Sequence, residues 1–251
     1  VRSASGSRAI AGRVPTLYNS RVVAFAWNIV RFSVCASCGL GPDGGLGHLC
    51  RGRWGDVRRA AIPAMEPDGL PRRRRLEKMS AEALRRVGRV PFPMLRRGDA
   101  EFLQLTWDDA TKLVARRLGG GGTLLEGDRA LSVEARDAVD ALAARLSPGD
   151  PLLILGSMPC EAAFRAHVTE LLTPEIVAPV GDEVVVLPAL SRYSQTGGAH
   201  WRGPDDVVRY SPEIRGNPVP GARPDHEILG TLAADLPTPG TPLHSEPVGG
   251  Q

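Results

Sequence analysis

Aromatic residues are scarce in this chain of 251 residues: four Trp, three Tyr and five Phe, set against 29 Gly and 22 Pro. So few large side chains among so many backbone breakers exclude a densely aromatic core and point to a loop-rich protein. Charge of one sign is also lacking. The net charge of +3 gives no electrostatic footprint of the kind that nucleic acid requires, and no nucleic-acid partner is expected. Long apolar runs are absent too. The longest, VVAFAWNIV at residues 22–30, is far short of the roughly 20 residues of a membrane-spanning helix, and no small-residue cleavage site follows it. A cytoplasmic protein without a membrane span is the expectation. With only four cysteines a disulfide scaffold is excluded.

Several catalytic signatures are missing as well. No G-x-S-x-G elbow supports a hydrolase serine, and DHE at residues 225–227 is not the H-E-x-x-H of zinc proteases. LGGGGT at residues 118–123 lacks the Lys-Ser/Thr ending of a phosphate loop and reads as a helix stop entering a linker. The RRRR run at 72–75 reads as a solvated connector. Asp108–Asp109 and Asp205–Asp206 fall at a helix start and in a loop, where capping or solvation accounts for them.

What the chain does have is a concentration of cysteine. In VCASCGLGPDGGLGHLC, residues 34–50, Cys35 and Cys38 stand at C-x2-C spacing and Cys50 follows a glycine-rich stretch. A tight turn at that spacing aims two thiolates at one centre, and Cys50 supplies a third. His48 is available as a fourth ligand, so zinc of the Cys3His type and an iron–sulfur cluster are both open, beside free thiols in a loop.

Residues 1–30 show no convincing periodicity and read as a weakly structured leader. Residues 31–60 read as a Gly- and Cys-rich knot and 80–88 as a short helix ended by Gly88. The segment from Thr106 to Leu118 carries an N-cap threonine, Asp109 three residues on, and Arg116 and Arg117 in the last turn, which predicts a helix with Ala110, Leu113, Val114 and Leu118 on its apolar face. A second helix is expected from about Ser132 to Leu146. PLLILG (151–156) and DEVVVLPAL (182–190) read as buried strands, CEAAFRAHVTELL (160–172) as a helix with Cys160 buried on it, and 223–236 as a closing helix. Helices alternating with all-apolar strands predict an α/β fold with a mostly parallel sheet, a Cys-rich segment ahead of it and disordered ends, the last from residue 237.

Three segments, in order, resemble the molybdopterin oxidoreductases of the formate dehydrogenase catalytic (alpha) subunit branch. CASCGLGPDGGLGHLC is similar to that branch's amino-terminal iron–sulfur segment. RVGRVPFPMLRRGDAEFLQLTWDDATKLVARRL (86–118) resembles the stretch where a proline leads to a short strand and a W-D-E-A helix start, here Trp107-Asp108-Asp109-Ala110. Residues 171–229 resemble a late segment in which a strand ends in LPA, a glycine-rich loop approaches the pterin, and SPEI and an ARP-type helix follow. The resemblance implies a 4Fe-4S cluster on Cys35, Cys38 and Cys50. It also implies Gly197 and Gly198 near a molybdenum–bis-pterin guanine dinucleotide, and an electron-transfer partner or companion subunit.

The resemblance divides the chain into a leader (1–30), an iron–sulfur-like segment with the first part of the oxidoreductase domain (31–118), a helix–strand–helix stretch (119–170), a pterin-side segment (171–236) and a tail (237–251). The family's large middle, with the Cys or selenocysteine ligand of molybdenum, and its final pterin domain have no counterpart. Ser194 stands where the family has glutamate. The expectation is an internally deleted or fragmentary homologue without its own reaction centre; a small zinc or interaction module, or a remnant, is the alternative.

Overall fold

The computed structural model describes residues 20–35, 38–40, 50–178 and 183–237. The expectations for residues 1–19, for His48 and for the tail beyond residue 237 lie outside them. In chain order the elements are α1 (Ser20–Phe32), α2 (Arg51–Ala60), α3 (Arg73–Leu76), α4 (Ala81–Arg85), β1 (Met94–Arg97), β2 (Leu103–Gln104), α5 (Trp107–Leu118), β3 (Thr123–Glu126), α6 (Val133–Ala143), β4 (Leu152–Leu155), β5 (Phe164–Thr169), α7 (Pro174–Val177), β6 (Glu183–Pro188), β7 (Ala199–Arg202), β8 (Val208–Ser211) and α8 (Asp225–Asp235).

Six strands form one sheet in the order β2-β1-β6-β5-β4-β3. From β3 to β6 every pairing is parallel, and β1 joins β6 antiparallel to close that side. The α/β class and the mostly parallel sheet expected from the sequence are therefore present. On one sheet face Leu153, Leu155, Phe164, Ala166, Val168, Val185 and Leu187 pack against α5, α6 and α8. On the other, Met94, Val184 and Val186 meet Met65, Leu76, Leu84, Leu172 and Ile176. Strands covered on both faces bury both sets of side chains, which is why LLIL and VVVLP carry no apolar–polar alternation.

The capped helices form where the sequence places them. Thr106 accepts from the Asp109 amide at 3.1 Å and donates to its carboxylate at 2.7 Å, while Asp108 pairs with Lys112. Ser132 accepts from the Ala135 amide at 3.2 Å to start α6. Asp205 and Asp206 pair with Arg209 and Arg202 at the tip of the β7–β8 hairpin. The run at 72–75 is less loose than a solvated connector: Arg73 opens α3 and reaches Glu77 and Asp99.

Three expectations are corrected. Residues 22–30 belong to α1, whose Phe25 and Ile29, one turn apart, are buried beside Val57, Tyr193 and Ile214. The glycine run after Leu118 leads straight into edge strand β3 rather than into a linker. Residues 164–169 are strand β5, so the stretch 119–170 is strand–helix–strand–strand and Cys160 sits half-buried in a non-helical link. Its Ala- and Glu-rich flanks favour helix, yet Phe164, Ala166 and Val168 alternate with Arg165, His167 and Thr169, and both sets are buried between β4 and β6. Pairing on two sides overrides propensity. The link from β4 to β5, residues 156–163, contains no helix.

At the end of the sheet Arg129 is buried. Its guanidinium donates to Asp225, Glu170 and the Leu190 carbonyl. Burial opposes its charge, but the two carboxylates more than offset that and raise its pKa. Removing one partner of a buried pair strands the other charge, so Asp225→Ala is expected to cost about 3–5 kcal/mol, read as a lower denaturant midpoint at unchanged slope.

His167 on β5 is buried and bonded through Nδ1 to the Gly156 carbonyl at 3.2 Å. Burial pushes its pKa from 6.5 down to about 4. The unfolded chain takes up that proton first, so this contribution is complete above pH 6.5 and is lost as pH falls towards about 4. The loss amounts to roughly 3 kcal/mol. Denaturation series in that window should show it in the wild type and a flatter pH dependence in His167→Asn.

Candidate metal centre

The Cys35–Cys38 turn follows directly from its sequence. The Cys35 amide donates to the Leu40 carbonyl at 3.0 Å and the Gly39 amide to the Cys35 carbonyl at 2.9 Å, closing a loop around the two thiols. Gly39 adopts φ +71°, and a Cβ there would sit 3.1 Å from Pro204 Cδ in the β7–β8 turn, so only glycine lets the loop rest on that hairpin. The Val34 amide reaches the Ser211 hydroxyl at 3.4 Å from the same side.

Cys50 arrives from another direction. It is the N-cap of α2 with extended backbone, and its Sγ accepts the Arg53 amide at 3.4 Å. A thiolate at a helix N-terminus is stabilised by the unsatisfied amides and the positive end of the helix dipole. The Cys35 and Cys50 sulfurs lie 3.5 Å apart, and the sulfurs of Cys35, Cys38 and Cys50 all lie within 4.8 Å of one another. Among the described residues this is the group of three potential ligands that the fold brings together. Cys160 does not join it.

The surroundings are cationic. Arg53 is fully buried; its Nη2 donates to the Ile29 and Ser33 carbonyls, each at 2.6 Å, and fastens α1 to α2. Its Nε and Nη1 are buried with no partner among the described residues. Cys35 and Arg53 both act electrostatically on Arg192 and Tyr193. Burial, reinforced by Asp56, raises the Tyr193 pKa and keeps the phenol neutral. The Arg53 backbone amide already serves Cys50, and the unpaired buried donors of its side chain suit an anionic thiolate–metal group.

The glycine pair is placed differently. Gly197 and Gly198 form the turn before β7 with φ +74° and +83°. A Cβ on Gly198 would lie 2.4 Å from the Tyr210 hydroxyl. The Gly197 amide donates to Glu213 at 3.1 Å and its carbonyl accepts from Tyr210 at 2.6 Å. Positive φ accounts for glycine at both positions, and close packing against Tyr210 and Ser211 adds to it at Gly198 alone, since a Cβ on Gly197 would meet nothing within 4 Å.

No family model and no curated protein matches the chain. The cysteine cluster is thus defined by its own geometry. Sequence spacing identified all three thiols. It did not identify Arg53, which sits in RGRWGDVRR among other arginines, and only the approach of α1 distinguishes it. Arg53→Met should loosen α1 at a cost of roughly 3 kcal/mol, the scale of charged hydrogen bonds lost without replacement. Faster proteolysis within residues 20–33 and weaker metal retention would report it, with Arg53→Lys intermediate.

Proposed function

We propose that the chain is a homologue of the molybdopterin oxidoreductases, of the formate dehydrogenase type, that carries the electron-transfer entrance of such an enzyme. Cys35, Cys38 and Cys50 hold an iron–sulfur cluster of the 4Fe-4S kind. The observation that carries a metal–thiolate centre is the convergence of three thiols, from a C-x2-C turn and a helix N-cap, within 4.8 Å; the choice of an iron–sulfur cluster rests on the resemblance of the surrounding segments. The packing of the three resembling segments supports it. Trp107 of W-D-D-A donates to the Gly221 carbonyl at 2.7 Å and Arg223 lies 4.5 Å over its ring, while the cysteine arm rests on Ser211 of SPEI. Pieces read as parts of one ancestral domain are neighbours.

A bound cluster takes up and passes on one electron at a time. The chain's own residues provide the setting: the α2 N-terminus and Arg53 offset thiolate charge, and Arg192 with neutral Tyr193 walls off one side. Among the described residues no molybdenum ligand is identified, and no step is assigned to that metal. An electron partner or companion subunit belongs with this reading.

A single tetrahedral ion is the second reading, favoured by the short Cys35–Cys50 contact of 3.5 Å. Zinc–sulfur bonds of about 2.3 Å in a tetrahedron place sulfurs roughly 3.8 Å apart. A cubane, whose thiolates bind different irons, spreads them further. His48 would complete that set.

Metal and acid-labile sulfide measured on anaerobically purified protein decide between them. Iron with matching sulfide, lost in Cys38→Ser, is the expected result. Stoichiometric zinc without sulfide would establish the second reading, and protein free of any metal would overturn both.

A further inference from the structure

The parallel strands β3 to β6 end along one edge of the sheet, and a cavity of about 360 Å³ opens there. Ligands of parallel α/β sheets bind in crevices outside the carboxyl ends of the strands. Three of the residues that line it each carry a buried side-chain polar atom with no partner among the described residues: Glu170 Oε2, Arg192 Nε and Thr173 Oγ1. Each belongs to a side chain or segment fixed from behind. Glu170 gives its other oxygen to Arg129 at 3.2 Å, Arg192 stacks 4.1 Å over Trp201, and Thr173 precedes the first turn of α7. An unpaired buried polar atom costs about 1–3 kcal/mol, and three in one cavity mark a place prepared for a polar ligand.

Charge decides which kind. In the cavity wall Arg129 and Arg192 are matched by Asp128 and Glu170, and at the other wall Arg59 and Arg85 by Asp56 and Glu175. A lining without net charge gives no advantage to phosphate or to any bare anion. It suits a molecule that carries both signs. The volume lies near the lower end of the usual 300–1,000 Å³ of ligand pockets.

We propose that this cavity binds a free α-amino acid, its carboxylate on Arg192 Nε–H, its ammonium on Glu170 Oε2, and Thr173 on either group. None of the three cysteines lines the cavity, so ligand binding is read separately from metal content, although Arg192 lies between the two sites.

The test is a thermal-shift and calorimetric titration of the full chain with each proteinogenic L-amino acid, with inorganic phosphate and guanosine monophosphate as controls. At least one amino acid should give a saturable rise in Tm. Glu170→Gln and Thr173→Val should each weaken it roughly tenfold or more, the scale of one lost charge-assisted hydrogen bond. Thr173→Val leaves the Arg129 pairing untouched and serves if the Glu170 variant unfolds. No saturable shift with any amino acid, saturation by phosphate or the nucleotide in its place, or amino-acid binding indifferent to both substitutions would overturn the proposal.

Discussion

One buried guanidinium organises the end of the sheet where the polar groups gather. Arg129 follows β3, and its partners come from the end of β5, from the loop after β6 and from the first turn of α8. Four separate pieces of chain are thereby fixed around a charge that is largely withdrawn from water. A buried ion cluster of this kind specifies arrangement as much as it stabilises, because any other packing would leave Arg129 or a carboxylate unpaired. Glu170 links the cluster to the adjoining cavity, which it lines: one oxygen anchors Arg129 and the other has no partner among the described residues.

The cysteine arm is attached by the same device on a smaller scale. Arg53 holds α1 and α2 together from inside, and Tyr193 stands where this helix pair meets the loop after β6, its hydroxyl 3.5 Å from Asp56. The thiols therefore sit on a small helical platform joined to the sheet domain through a phenol and the β7–β8 hairpin. A charge change at the thiols would be felt at Arg192, which also lines the cavity. The two sites share a wall.

How much of this was legible in the sequence depended on whether the relevant interaction was local. Thr106 with Asp109, and Ser132 with its helix, are contacts made within one turn, so caps and helix starts could be read directly. LLIL and VVVLP needed only their apolar runs. Strand β5 was hidden because three of its six buried residues are polar: Arg165, His167 and Thr169 face a layer whose composition nothing in the strand announces. The β7–β8 hairpin was not anticipated, although Gly203-Pro204-Asp205-Asp206 between alternating residues marks its turn, and α1 showed only Phe25 and Ile29 on a narrow face. At the candidate sites, C-x2-C spacing exposed the thiols. Glu170 and Thr173 became visible only once β5 was a strand, because their place is the end of it.

The helix-free link between β4 and β5 has a further consequence. Parallel neighbours are normally joined by a dozen or more residues, commonly with a helix that covers the sheet. Here residues 156–163 cross with nothing to spare. The cost of closing this loop is small, which favours early pairing of β4 with β5. It also leaves a seam in the covering layer, bordered by Pro159, Cys160 and Arg165, where an added segment would meet open space rather than packed side chains. An insertion at this seam would therefore disturb less packing than one at any of the helix-covered crossings.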